Sequence, residues 1–260
     1  AAVIRAIRLF KPEEVAQYTV RGQYAGYREE RDVNPASETE TFAALKFFLD
    51  TPRFEGVPFY IRAGKKMPQD LVEVLLFFRQ TCPILFEEYG CPETGNVLRI
   101  RIQPDEGISI RFIAKKPGVK LALQTVNMKF SYREEFPGKL ADAYEKILLD
   151  IFRGDQTLCS RSDELEYSWE LIARVMEGWS GKKAPPLLIY NPGEWGPAAA
   201  DDLIAGDHRQ WEPGRKSEKA VQSLSAEKMP VQVNNGRSRP SDPASILKGG
   251  PENRNGGGHW

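Results

Sequence analysis

Between residues 97 and 103 apolar and polar side chains alternate: Leu98, Ile100 and Ile102 are interleaved with Arg99, Arg101 and Gln103. A period of two sends the apolar trio to one face of a strand and the polar trio to the other. Pro104-Asp105-Glu106-Gly107 then makes a compact turn, and Ile108, Ile110, Phe112 and Ala114 alternate beyond it, which predicts a β-hairpin. Arg111 falls on the second strand, and the register decides whether it shares a face with Arg101. A further turn at Lys115-Lys116-Pro117-Gly118 leads into extended residues as far as Tyr132. Residues 71–78 are almost continuously apolar, the pattern of a strand inside a sheet. Gly56-Val57-Pro58-Phe59-Tyr60-Ile61-Arg62 is also strand-like and ends at Gly64-Lys65. Residues 37–50 fit two templates. Thr41, Ala43, Leu45, Phe47 and Leu49 alternate, while Phe42, Leu45 and Leu49 make a helical stripe; the paired phenylalanines favour a strand. Residues 15–24 read as extended, after a short helix starting at Pro12-Glu13-Glu14.

The period changes after Gly138. Leu140, Ala143, Tyr144, Ile147, Leu148 and Ile151 share one helical face, and Gly154 stops the helix. Ser160-Arg161-Ser162-Asp163 caps a second helix, whose stripe of Leu165, Trp169, Ile172, Met176 and Trp179 predicts packing against a sheet. A turn-rich stretch from Pro185 to Pro197 precedes one or two helical turns over residues 198–204. Strands first and helices afterwards predict an α+β domain over residues 1–212. Beyond Pro213 Ser, Lys, Asn, Gly and Pro dominate, and 213–260 reads as a disordered tail with too few apolar groups to offset its ordering entropy.

The charge balance narrows the function. Lys+Arg and Asp+Glu both number 36 in 260 residues, which argues against general nucleic-acid or membrane-surface binding. No apolar run approaches a membrane span, and the N-terminus lacks a signal pattern. Cys82, Cys91 and Cys159 form no C-x-x-C pair, which suits a reducing cytoplasm. There is no G-x-G-x-x-G, Gly64-Lys65 lacks the upstream glycine of a phosphate loop, and no metal-ligand spacing occurs. Asp201-Asp202 reads as a solvated helix start, His208 as a surface or partly buried histidine, and Ser225-x-x-Lys228 as a chance match in the tail. Lys65 supplies a compact cation suited to phosphate, and the arginines supply planar forks, so a small anion is a candidate ligand. A solvated sheet face with scattered charges fits the same pattern.

Six segments in one order carry more weight. Arg21-Gly22-Gln23-Tyr24, SETETFAALKFF from Ser37, GVPFYIRAGK from Gly56, RIQP from Arg101, Asp142-Ala143-Tyr144-Glu145 and Trp195-Gly196-Pro197 resemble the C-terminal domain of the glucose-6-phosphate dehydrogenase family, as far as about Trp211. The resemblance implies a large antiparallel sheet backed by helices that also makes a homodimer, with a Rossmann domain for NADP preceding it. It implies that Lys65 and Gln103 bind the substrate, glucose 6-phosphate. It also implies that Arg62, Arg101 and Arg111 match positions that hold a second, structural NADP in some relatives. Pro68-Gln69-Asp70-Leu71 departs from the more basic sequence those relatives carry there. The family's histidine base and its aspartate belong to segments before residue 1, so the chain by itself is expected to be inactive. A non-catalytic dimerising or metabolite-sensing module related to that domain is the alternative.

Overall fold

In chain order the elements are α1 (Ala2–Arg5), α2 (Val15–Tyr18), β1 (Thr19–Tyr24), β2 (Phe42–Phe47), β3 (Phe59–Gly64), β4 (Val72–Phe77), β5 (Val97–Gln103), β6 (Gly107–Lys115), β7 (Leu123–Ser131), α3 (Tyr132–Glu135), α4 (Ala143–Arg153), α5 (Ser162–Ser180), β8 (Leu187–Tyr190) and α6 (Ala199–Ala205). This computed structural model describes residues 1–79, 95–136, 138 and 143–212, all within the compact unit Ala1–Gly214. Cys82, Cys91, Leu140, Asp142, Ser225, Lys228, His259 and the expected tail from 213 lie outside the described residues. The fold is α+β, and its strands form two four-stranded sheets, β3-β2-β1-β8 and β4-β5-β6-β7. All neighbours are antiparallel except β8, which joins β1 in parallel.

The first sheet is covered on both sides, which explains why residues 37–50 matched two templates. Leu45 and Phe47 point to one face and pack with Phe10, Val15, Leu171, Val175 and Trp179. Phe42 and Ala44 point to the other and pack with Val20, Tyr24, Tyr190 and Ala200. A strand buried on both faces loses the clean alternation of a half-exposed one. The contact between α2 and α5 is close enough that a Cβ on Gly178 would lie 2.5 Å from Val15 side-chain atoms. That site accounts for one departure from expectation: residues 15–18 are helical rather than extended, because Val15 must sit against α5 and Thr19 Oγ1 bonds back to the Val15 carbonyl at 2.7 Å.

The second sheet differs more. The hairpin at 104–107 forms, and its register opposes Val97 to Arg111, Arg99 to Ser109 and Arg101 to Gly107. Directly opposed residues share a face, so Arg99, Arg101 and Arg111 lie together. The apolar trio lies on the other face, where Ile102 is 52% exposed, whereas Arg99 is only 7% exposed. The apolar run 71–78, expected inside a sheet, is the edge strand β4, with Val74 and Leu76 exposed on the apolar face. Continuous apolarity there reflects an uncovered surface. A second correction concerns α5, which turns Leu171, Val175, Gly178 and Trp179 to the core while Leu165, Trp169, Ile172 and Met176 stay exposed. The helix carries two apolar stripes, and the longer one does not face the sheet. Likewise Tyr144, Ile147, Leu148 and Ile151 of α4 are exposed. Strand β8, hidden between Pro186 and Asn191, went unread because turn residues flank its four positions.

Candidate functional site: a lysine at the end of β3 beside an arginine cluster

Lys65 follows directly on β3, where the backbone is tightly confined. A Cβ on Gly64 would sit 2.9 Å from both Met67 Sδ and a Phe42 ring carbon, so only glycine fits. The Lys65 amide donates to the Thr41 carbonyl at 2.8 Å, and the Tyr190 hydroxyl donates to the Lys65 carbonyl at 2.8 Å. Lys66 has φ 50°, a left-handed conformation that turns the chain sharply. Its carbonyl accepts from the Gly193 amide at 2.8 Å. Its ammonium pairs with Glu30 and lies 4.5 Å from the centre of the Tyr24 ring. The two adjacent lysines thus have different surroundings. Both are exposed, but the Lys66 ammonium is engaged by an acid and a phenol, while the Lys65 ammonium has no protein partner among the described residues.

The Lys66 ammonium holds the Glu30 carboxyl below the usual carboxylate range, and Glu30 raises Lys66 in return. Burial, followed by Glu30, pushes the Tyr24 hydroxyl up. The stabilisation that comes with the lowered Glu30 pKa is present above the ordinary glutamate range and is lost as pH falls through the folded value. The raised Lys66 pKa contributes below the ordinary lysine range and is lost only in strong base. Amide-exchange protection at Lys65, whose amide is bonded to the Thr41 carbonyl, is therefore expected to hold through neutrality and fall in acid, measured as protection factors against pH. In Glu30→Gln it should start lower and lack that acid-dependent fall.

The polar face of the second sheet gathers the arginines. Arg99 reaches Glu73 on β4 at 3.3 Å and Glu212 at 2.5 Å. Arg101 meets the same Glu73 oxygen at 3.2 Å, and Arg111 takes the second Glu212 oxygen at 2.6 Å. Glu212 is thus clamped between two guanidinium groups. The Nε atoms of Arg101 and Arg111 are buried without a hydrogen-bond partner. Arg62, on β3 of the other sheet, lies between two indoles, with its guanidinium carbon 4.6 Å from the Trp195 ring centre and 4.7 Å from that of Trp211. Burial lowers its pKa, while Asp201 and Glu73 pull it back up. Trp211-Glu212 therefore covers arginines of both sheets at once.

The sequence-predicted residues do not all meet. Arg101 and Arg111 join through Glu73, Arg99 and Glu212, with Arg62 close by. Gln103 closes β5 and is exposed, and its side chain makes no hydrogen bond among the described residues. Residues 66–71 connect Lys65 to Val72, and Val72 is the register partner of Gln103, so the two candidates are linked through one short connection. Glu73, Trp195, Trp211, Glu212, Thr41 and Tyr190 were not singled out for the site from sequence. Glu73 had a signal, as the lone charge in residues 71–78. Glu212 had none, lying where the composition changes. Asp201 and Asp202 occupy the first turn of α6, and His208 is exposed beyond it. Among the described residues no cluster of three or more His, Cys, Asp or Glu could hold a metal.

Fold and side chains define an α+β domain that presents an exposed lysine at the end of β3 and an arginine cluster paired with Glu73 and Glu212. Comparison with protein families matches residues 1–212 to "Glucose-6-phosphate dehydrogenase, C-terminal domain". The chain belongs to that family. It is 44% identical over 222 residues to glucose-6-phosphate 1-dehydrogenase of Treponema pallidum, covering 80% of this chain and 43% of the relative. With the Chlamydia trachomatis protein of the same name the identity is 39% over 207 residues, 75% and 47% of the two chains. Among solved structures, the Mycobacterium avium enzyme superposes with a TM-score of 0.67 at 32% identity, over 82% of this chain and 43% of that one. A glucose-6-phosphate dehydrogenase in complex with its substrate glucose 6-phosphate gives 0.71 at 28%, over 82% and 44%. The chain spans less than half the length of these relatives.

Proposed function

We propose that this chain is the substrate-binding and dimer-forming part of a cytoplasmic glucose-6-phosphate dehydrogenase, which oxidises glucose 6-phosphate to 6-phosphogluconolactone with NADP, the first step of the pentose phosphate pathway. The observation that carries the reading is Lys65: an exposed, unpaired ammonium on a backbone confined by Gly64 and bonded on both sides. Its role is to take the sugar phosphate, with Gln103 donating or accepting at a hydroxyl. Hydride transfer would draw on residues other than 1–212, since the one histidine among the described residues is the exposed His208. Binding rather than turnover is therefore the readout for this chain. Titration with glucose 6-phosphate by calorimetry should show Lys65→Ala binding at least tenfold more weakly, the loss of one charge-assisted hydrogen bond. Equal affinity would remove Lys65 from the site.

A structural NADP on Arg62, Arg101 and Arg111 fits only after Glu212 leaves. Its carboxylate already takes Arg111, and Trp211 covers Arg62. The two unbonded Nε atoms are the features that favour a ligand there. The dimer reading rests on the other face of the same sheet. Val74, Leu76, Ile102, Ile108, Ile110 and Met128 are exposed on it, with Ile100 and Leu98 between them. No charged residue interrupts this area in β5 or in the opposed part of β6, and a flat apolar area of this kind marks an interface. A second copy presents the same face, which is what a twofold contact requires. A non-catalytic dimerising module would need that face alone.

A further inference from the structure

The Lys65 ammonium can be only as well placed as the peptide that carries it, and that peptide is held by a chain of hydrogen bonds that ends in a buried phenol. Tyr190 is 2% exposed. Its ring is fixed between Phe42, at 5.6 Å between centres, and Tyr24, at 6.4 Å. Its hydroxyl lies 2.8 Å from the Lys65 carbonyl, 3.2 Å from Thr41 Oγ1 and 3.2 Å from the Thr41 carbonyl. A phenol has one proton to give. The shortest contact places it on the Lys65 carbonyl, so the phenol oxygen accepts from the Thr41 hydroxyl. Thr41 Oγ1 in turn accepts from the Tyr24 amide at 2.9 Å. The order is thus Tyr24 N–H to Thr41 to Tyr190 to Lys65, each bond polarising the next in a buried setting.

The bond acts where the backbone is strained. Lys66 sits at φ 50° although it is not glycine, a conformation that L residues adopt at a cost. Rotating the 65–66 peptide plane would relieve it, because such a flip changes ψ of Lys65 and φ of Lys66 together. The Tyr190 proton on the Lys65 carbonyl opposes that flip directly, and the Gly193 amide on the Lys66 carbonyl pins the next peptide plane.

We propose that Tyr190 is a positioning residue: its hydroxyl, oriented by Thr41, locks the Lys65–Lys66 peptide so that the Lys65 ammonium is aimed at the phosphate of a sugar phosphate. This rests on the reading of Lys65 as the phosphate contact. Tyr190 touches no ligand, and neither composition nor spacing marks it, since it acts through a carbonyl.

The test is a double-mutant cycle by calorimetry with glucose 6-phosphate as the probe, on the full chain, with Lys65→Ala and Tyr190→Phe alone and together. Phenylalanine keeps the packed ring and removes the oxygen. Tyr190→Phe should weaken binding by about tenfold, and the double variant should bind no more weakly than Lys65→Ala, because a clamp has nothing left to aim. A Tyr190→Phe affinity equal to wild type would overturn the proposal. So would an undiminished tenfold loss in the Lys65→Ala background, which would make the hydroxyl merely structural. Wild-type affinity in Lys65→Ala, or no binding by wild type, would instead remove the underlying reading and the proposal with it. If Tyr190→Phe does not fold, Thr41→Val breaks the same chain one bond earlier. It should give a smaller loss that also vanishes in the Lys65→Ala background, and wild-type affinity in Thr41→Val would overturn the proposal.

Discussion

Ile110→Asp is expected to convert a dimer of this chain into monomers at concentrations where the wild type is fully associated. Ile110 lies on β6 opposite Leu98 and Met128, at the middle of the apolar face of the second sheet. In a face-to-face pair it would be covered by the partner, and by twofold symmetry each aspartate would meet the other copy's apolar face. An ionised carboxylate transferred from water to such a surface without a partner carries a penalty of several kcal/mol, and two are introduced per dimer. A shift of about 1.4 kcal/mol is tenfold in the dissociation constant, so the dimer should be lost entirely. Light scattering after size exclusion is the measurement. Thr125→Asp, opposite Ile113 on the polar face, is the control and should stay dimeric. If wild type is monomeric at high concentration, or Ile110→Asp stays dimeric, the sheet is not the interface.

That same sheet shows what could and could not be seen from sequence. The alternation over 97–103 gave two faces correctly, and the hairpin turn gave the pairing. Periodicity separates faces but says nothing about which of them is covered, because coverage depends on elements far away in the chain. Arg99 is met by Glu73 and Glu212, and Glu212 lies 113 residues further along. The edge position of β4 was hidden for a related reason. An apolar strand inside a sheet and one at an uncovered edge have the same composition. Val15–Tyr18 is helical where Val15 packs against Gly178, Leu171 and Val175 of α5, a tertiary demand that no local pattern encodes. The position of Lys65 directly after a strand, by contrast, was legible. A strand end followed by Gly-Lys is a local signal, and Gly64 is confined by its near neighbours Met67 and Phe42. Tyr190 stayed invisible because it is a core residue by every local measure and acts through one oxygen.

The second large effect is expected at Arg99, and it separates stability from ligand binding. Arg99→Ala should destabilise the domain by about 3–5 kcal/mol, the range for removing one partner from a buried ion cluster. Arg99 is the only member of the cluster that joins both acids: Glu73 is shared with Arg101, and Glu212 with Arg111. Without it two carboxylates remain enclosed with one cation each, and the tie between β5 and the Trp211-Glu212 segment is broken. Release of that segment would also uncover Arg62, since Trp211 forms one side of its indole sandwich. Arg99→Ala should thus lower the urea midpoint strongly while leaving the Lys65 backbone bonds intact. Glu212→Gln should behave differently. It keeps a polar group between Arg99 and Arg111 but removes the charge, so it should cost less stability. It also leaves Arg99, Arg101 and Arg111 facing Glu73 alone among the described residues, and affinity for a nucleoside phosphate should rise above that of the wild type. A Glu212→Gln variant that binds NADP no better than wild type would show that these arginines serve only to fasten the segment across the sheets. In that case Glu212 serves to tie the Trp211-Glu212 segment to β5 and β6, and the second NADP has no place on this chain.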